Sequence, residues 1–328
     1  MVDVLDKRIQ QIYEPVQGEL DEVVEALRRL VSQTGPASEA GVLGHAMMSG
    51  GKKLRPVVTL LASQFHPHDR NLTITMATAV ELLHIASLIH DDTVDESTIR
   101  RGRATVSSLW GGKVAVLLGD YVFATSATYV CDTGNVRVIR RFSGAIMELA
   151  KGELSEHFST HDWHQTVADY EERIYNKTAS LFSTASECGA VLSGVPEPDC
   201  HALKAYGYAL GMAFQVMDDI LDFQGTEAEL GKPVGNDLLH GTLTLPALLF
   251  AQRYPTEPVV QRLKNGSRET EDLQQVVEMV RNSTVIDETL AFADRYRDQA
   301  CGALHRFERN RARGSLEELA DYTTSRRT

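Results

Sequence analysis

"TITMATAVELLHIASLIHDDTVDESTIRRG", residues 73–102, decides the fold. The run from Thr73 to His90 is apolar nearly all round, and a helix apolar on every side is one enclosed by its neighbours rather than laid on a surface. It then breaks abruptly into Asp91, Asp92, Asp95 and Glu96, with Arg100 and Arg101 close behind. Asp91 and Asp95 are four apart, so a helix projects them from one face on successive turns, with Asp92 about 100° away around the axis.

A second stretch repeats the theme. "AYGYALGMAFQVMDDILDF", residues 205–223, is another apolar run that ends in aspartates, with Asp218 and Asp222 again four apart and Asp219 between them. Other long segments also read at helical period. Leu20, Val23, Val24, Ala26, Leu27, Leu30 and Val31 form one stripe, and "VAVLLGDYVFATSATYV" is of helix length. Breaks such as "QTGP", "SGVPEPD" and "KNGS" are turns rather than linkers, and no series of alternating strand-length runs is present. The expected architecture is all-α, a single domain over residues 1–328 without a sheet.

The 328 residues, 43% of them hydrophobic, are enough for a sizeable core. A formal net charge of −12 argues against broad nucleic-acid binding, so an anionic ligand must be met by local cations. Four scattered cysteines, with no CxxC pair, fit a reducing compartment, and the cytoplasm is the expectation. The N-terminal stretch lacks the apolar core of a signal peptide. No transmembrane segment is expected, since no apolar run reads as approaching the roughly 18 residues that one needs.

Oxygen ligands such as these carboxylates suit the hard ion Mg²⁺, which keeps waters and bridges carboxylates to phosphates. Diphosphate is therefore the natural ligand class. Local cations complete the picture: "GGKKLRP" supplies Lys52, Lys53 and Arg55, "YNKTA" supplies Lys177 beside Thr178, and "LGKPVGNDL" supplies Lys232. Two other stretches are set aside. "GHAMMSGGKK" resembles a phosphate loop, but Ala46 replaces its first glycine and no strand precedes it. "HFSTHDWH" groups His157, His161 and His164 without the spacing of a zinc site.

Taken in chain order, "GGKKLRP", "LLHIASLIHDDTVDESTIRRG", "LLGDYVF", "KTASLF", "FQVMDDILDF", "LGKPVGNDL" and "GTLTLP" resemble the trans-prenyl diphosphate synthases, the polyprenyl synthetase family, from about Gly50 to Pro246. The resemblance implies an all-α isoprenoid-synthase bundle around a central cavity, usually a homodimer, with the two aspartate motifs facing each other at the cavity mouth. It implies three Mg²⁺ ions per active site, two on Asp91 and Asp95 beside Asp92, and one on Asp218 supported by Asp219 and Asp222. Arg100, Lys177, Thr178, Gln215 and Lys232 would meet an allylic diphosphate. Lys52, Arg55, His84 and Arg101 would bind isopentenyl diphosphate. Asp91, Asp95, Asp218, Lys177 and Lys232 would carry the catalytic step, ionisation of the allylic C–O bond followed by attack of the isopentenyl double bond.

Ala86 and Ser87 precede Asp91 by five and four positions, Ala86 lying about 7 Å down the helix. Family members with short products tend to carry a large aromatic here, so two small residues imply a long product, hexaprenyl to nonaprenyl, with geranylgeranyl diphosphate as the alternative. A floor would come from Leu82, Leu83, Phe142 or Met147. Three positions depart from the family pattern: Lys53 and Thr242 stand where Arg and Lys or Asn are common, and Glu156 stands where Gln is frequent. A terpene cyclase, or a subunit of a heteromeric synthase, are the competing readings.

Overall fold

The computed structural model describes residues 7–48, 50–225 and 233–325. Nearly everything in it is helix. In order come α1 (Lys7–Tyr13), α2 (Gln17–Gln33), α3 (Ala37–Met47), α4 (Leu54–Ser63) and α5 (Arg70–Val94), followed by strands β1 (Ile99–Arg100) and β2 (Arg103–Ala104). Then come α6 (Val106–Trp110), α7 (Gly112–Asp132), α8 (Val136–Phe158), α9 (Val167–Ile174), α10 (Ser180–Ser193) and α11 (Glu197–Gln224), with shorter helices continuing to Ser325. The chain gathers into two compact units. One contains the described residues up to Ser143 with Thr184–Lys204 and Arg306–Leu316; the other contains Gly144–Ser183, Ala205–His305 and the described residues from Glu317.

The first unit is built on α5. Asp69 caps its start by accepting a hydrogen bond from the Asn71 amide at 2.9 Å, the usual service of an N-cap aspartate. The helix then runs for 25 residues with its apolar side chains enclosed by α2, α4 and α7, as a helix apolar on every side requires. Contact with α7 is close because Gly119 has no side chain: a Cβ there would fall 2.1 Å from His90 Nε2. In the second unit, α9 and α11 pack with helices Leu245–Arg253, Thr270–Arg281 and Val285–Ala303 around Met212, Val216, Ile220, Phe223, Leu248 and Val276.

Two expectations are corrected. Residues 99–104 form a small antiparallel hairpin pairing Ile99 with Ala104 and Arg100 with Arg103. Its turn residues, Arg101 and Gly102, both have positive φ (51° and 72°), the geometry of the two-residue turns that match strand twist. Membrane-length apolar helices also exist. By length and composition both α5 and α7 could cross a bilayer, but the apolar window of α5 is 67% buried within the protein, whereas that of α7 is 28% buried. Helix α7 buries Ala115, Gly119, Val122, Ser126 and Val130 and leaves Val116, Leu117 and Tyr121 exposed.

Candidate active site

The first aspartate motif closes α5. Asp95 is the C-cap, just past the last helical residue, and its amide still bonds the Asp91 carbonyl at 2.8 Å, so the i to i+4 relation survives the helix end. Asp92 is buried, and its Oδ1 accepts a hydrogen bond from Arg100 Nε at 2.6 Å. Burial pushes the Asp92 carboxyl above its ordinary range, and the Arg100 charge opposes that shift. The hairpin makes this pairing by folding Arg100 back across the helix end, while Arg101 Nη1 donates to the Gly50 carbonyl at 2.7 Å. Asp92 and Arg100 line a small pocket with His45, Ile85, Ile89 and Arg103.

The expected isopentenyl diphosphate residues come together in this same unit. Arg55 Nη1 donates to His84 Nε2 at 3.2 Å, so that nitrogen holds no proton and the imidazole is neutral. Burial lowers the His84 pKa well below its usual value, and the charges of Arg55, Arg101, Lys53 and Arg100 lower it further. Four cations around one neutral ring form a basic cradle for an anion. The backbone carbonyl of Lys52 accepts from the Tyr13 hydroxyl. Lys53, in the left-handed conformation at φ 52°, pairs with the buried Glu81 at 2.9 Å, a partner that the sequence did not single out.

The second motif lies inside α11. Both oxygens of the buried Asp219 accept hydrogen bonds, from the Tyr170 hydroxyl at 2.6 Å and from Gln215 Nε2 at 2.9 Å. Gln215 in turn accepts from the Thr178 hydroxyl at 2.7 Å. Burial pushes the Asp219 carboxyl up to about 8; the two donors oppose this, and the Asp237 and Asp218 charges add to it. Asp222 is also buried, and its Oδ2 accepts from the Asp237 amide. Asp218 keeps partial exposure.

Lys177 belongs to a wide turn of π-helix, Tyr175–Ala179, between α9 and α10, a distortion frequent at functional sites. Its Nζ meets Glu156 at 2.6 Å and Glu153 at 3.1 Å. Gly152 makes this approach feasible, since a Cβ there would lie 2.5 Å from the Lys177 amide nitrogen. Lys232 lies outside the described residues.

The two chain-length positions separate. Ala86 is fully buried among Leu82, Ile89, Ala115 and Val122, while Ser87 is partly exposed and its hydroxyl bonds the His84 carbonyl at 2.9 Å. Of the expected floor residues, Leu82, Leu83 and Phe142 are buried. Met147 is 73% exposed on α8, so it is no floor within its own unit. Roles for Glu81, Tyr170, Glu153 and Asp237 escaped the sequence reading because each depends on a partner brought close only by folding. Among the described residues, no group of three or more His, Cys, Asp or Glu side chains is close enough to hold a metal ion. Partly exposed Asp91 and exposed Asp95 in one unit, and partly exposed Asp218 in the other, nonetheless each suit ions that complete their shells with waters and phosphate oxygens.

Comparison with known proteins completes the assignment. The family pattern "Polyprenyl synthetase" matches residues 40–280. The heptaprenyl diphosphate synthase component 2 of Geobacillus stearothermophilus is 36% identical over 320 residues, covering 97% of this chain and 99% of that protein. The crystal structure of a Caulobacter crescentus polyprenyl synthase, complexed with calcium and isoprenyl diphosphate, superposes with a TM-score of 0.90 at 36% identity, covering 98% of each chain. The heptaprenyl diphosphate synthase of Staphylococcus aureus superposes with a TM-score of 0.90 at 32% identity, over 95% of this chain and 98% of that one. With the ordered motifs, the helical fold and these similarities in agreement, the chain belongs to the polyprenyl synthetase family and is a prenyltransferase that condenses isopentenyl diphosphate head to tail with an allylic diphosphate.

Proposed function

We propose that this prenyltransferase is a Mg²⁺-dependent synthase of long-chain all-trans products, hexaprenyl to nonaprenyl. The family pattern spans residues of both units, which supports reading 1–328 as one catalytic domain. The observation that carries the substrate reading is the basic cradle on His84, where Lys52, Arg55 and Arg101 would take the isopentenyl diphosphate. A neutral imidazole there donates or accepts one hydrogen bond without adding repulsion, and bidentate arginine suits diphosphate oxygens.

Asp91 and Asp95 would hold two Mg²⁺ ions and Asp218 a third, supported by Asp222. Bound Mg²⁺ supplies charge stabilisation for the departing diphosphate. Arg100, Lys177, Thr178 and Gln215 are assigned to that diphosphate, with Lys232 alongside. Asp92 and Asp219 serve differently from the expectation of direct ligation: their oxygens already accept from Arg100, and from Tyr170 and Gln215. They act as positioning residues, Asp92 aiming a guanidinium and Asp219 aiming a Gln amide. No side-chain nucleophile is needed, because the isopentenyl double bond attacks the allylic cation and a proton then leaves to the released pyrophosphate.

Product length is read from Ser87, a small, partly exposed residue on the Asp91 face of α5, with Phe142 as the proposed floor. Two of the similar proteins are named heptaprenyl diphosphate synthases, which supports the same range. Incubation of the purified protein with farnesyl and isopentenyl diphosphates and Mg²⁺ tests the reading. Products of six to nine isoprene units are expected; a dominant geranylgeranyl product overturns the long-chain assignment. Consumption of farnesyl diphosphate alone, with release of a hydrocarbon, indicates a cyclase instead.

The exposed apolar face of α7, with Val116, Leu117 and Tyr121 outward, supports a homodimer. All four cysteines are free, in keeping with a reducing cytoplasm. Light scattering should give twice the 36.2 kDa chain mass. A monomer inactive on its own points instead to a second component, as the name of the Geobacillus relative suggests for that protein.

A further inference from the structure

Helix α8 presents an acidic pair to the π turn. Glu153 and Glu156, three apart and so on one helix face, both reach the Lys177 ammonium. Gly152, next to them, lets the α8 backbone come within contact of the Lys177 backbone, so that the acids can reach so short a side chain separation. The trio carries two negative charges and one positive. The three side chains keep 25% to 35% of their surface exposed, so the cluster is open to a ligand from solvent.

A lysine in this setting is a compromised anion ligand. A diphosphate approaching Lys177 must share the ammonium with Glu156 at 2.6 Å and feels the repulsion of two carboxylates. A neutral Gln in place of Glu156 would still accept a hydrogen bond from the ammonium and would remove one of those charges. We propose that Glu156 is a positioning and affinity-setting residue of the allylic subsite: it holds the Lys177 ammonium in place between turnovers and weakens its grip on diphosphate. The consequence falls on the by-product as well as the substrate. Pyrophosphate left after each condensation carries the same oxygens as the allylic diphosphate, so a weakened hold speeds its departure in an enzyme that must repeat the step several times on one growing chain.

This inference rests on the reading of Lys177 as an allylic diphosphate ligand, and the experiment separates the two. Steady-state constants are measured for farnesyl diphosphate and isopentenyl diphosphate, with the inhibition constant of inorganic pyrophosphate, in the wild type, Glu156→Gln, Glu156→Asp, Lys177→Met and the Lys177→Met/Glu156→Gln double variant. Glu156→Gln is expected to lower the farnesyl diphosphate KM and the pyrophosphate Ki together, by about three- to tenfold for one partly screened charge, with the isopentenyl diphosphate KM unchanged. Glu156→Asp, which keeps the charge, should restore wild-type values, and the Gln effect should vanish in the Lys177→Met background. If Lys177→Met leaves the farnesyl diphosphate KM unchanged, the assignment of Lys177 fails and the inference goes with it. If Lys177→Met raises that KM while Glu156→Gln leaves KM and Ki unchanged or raises them, the role of Glu156 is overturned and Lys177 keeps its own.

Discussion

The two DDxxD motifs have the same spacing and opposite electrostatic solutions. At the end of α5, the buried middle aspartate, Asp92, is neutralised by a full positive charge, Arg100 at 2.6 Å, in a unit that also gathers Lys53, Arg55 and Arg101. Inside α11, the equivalent Asp219 accepts, among the described residues, from the uncharged donors Tyr170 and Gln215, and burial lifts its pKa to about 8. One motif is balanced by a cation and the other by a proton. In both, the second aspartate is buried while the first keeps partial exposure, the difference on which the two proposed roles rest.

The largest test of that division compares the first and second positions. Asp91→Asn and Asp218→Asn should each lower kcat by about a thousandfold, the scale expected when charge stabilisation of a leaving group is lost. Asp92→Asn and Asp219→Asn should cost about ten- to a hundredfold, as the loss of a supporting partner does. Measured kcat at saturating substrate and Mg²⁺ decides; equal losses at all four positions would abolish the distinction.

A second contrast appears in metal-free protein as pH changes. The folded chain keeps a proton on Asp219 up to about pH 8, whereas the unfolded chain loses it near 3.8, so this contribution to stability is full below about pH 3.8 and is lost progressively until pH has risen through about 8. His84 works the other way. Its folded pKa lies well below 6.5, so the unfolded chain takes up a proton that the folded one refuses, and stability is lost as pH falls below about 6.5. Thermal midpoints measured from about pH 5 to 9 should therefore fall between about pH 6.5 and 8 and level off above it, the two groups offsetting each other below 6.5. Asp219→Asn should abolish the fall between about pH 6.5 and 8, and His84→Asn should leave stability declining continuously from about pH 5 to 8.

The smallest expected effect separates Ala86 from Ser87. Ser87→Phe should shorten the product while leaving the melting temperature near that of the wild type. Ala86→Phe, at a fully buried site, should destabilise the protein by about 1–3 kcal/mol through overpacking. Product chromatography and calorimetry on the two variants check both outcomes.

Much of this was legible because it depends on helical periodicity. The run Thr73–His90 reads as an enclosed helix and is one, and "AFQVMDDILDF" lies within α11 as its pattern implies. Helical phase also distinguishes the pair before Asp91: four residues bring Ser87 to within about 40° of it, whereas five put Ala86 about 140° away. Other features rest on contacts that spacing does not encode. The Asp92–Arg100 pair needs the hairpin, whose signal is a single glycine, Gly102, after two arginines. The meeting of Glu156 with Lys177, 21 positions apart, needs a π turn and a bare Gly152, and neither has a sequence period. The apolar character of α7 is plain, yet its composition does not say that one face stays uncovered in the single chain.

The place where α5 stops has one more consequence. Aligned peptide dipoles give a helix C-terminus a partial negative charge, the wrong end for carboxylates, and Asp91, Asp92 and Asp95 all sit there. Acids that would stabilise a helix at its other end here favour fraying of the last turn. Cation binding and closure of that turn are therefore one linked equilibrium. In amide hydrogen exchange, the segment from Asp91 to Glu96 should open readily without Mg²⁺ and gain protection when Mg²⁺ and diphosphate are added together, while the apolar middle of the same helix stays unchanged.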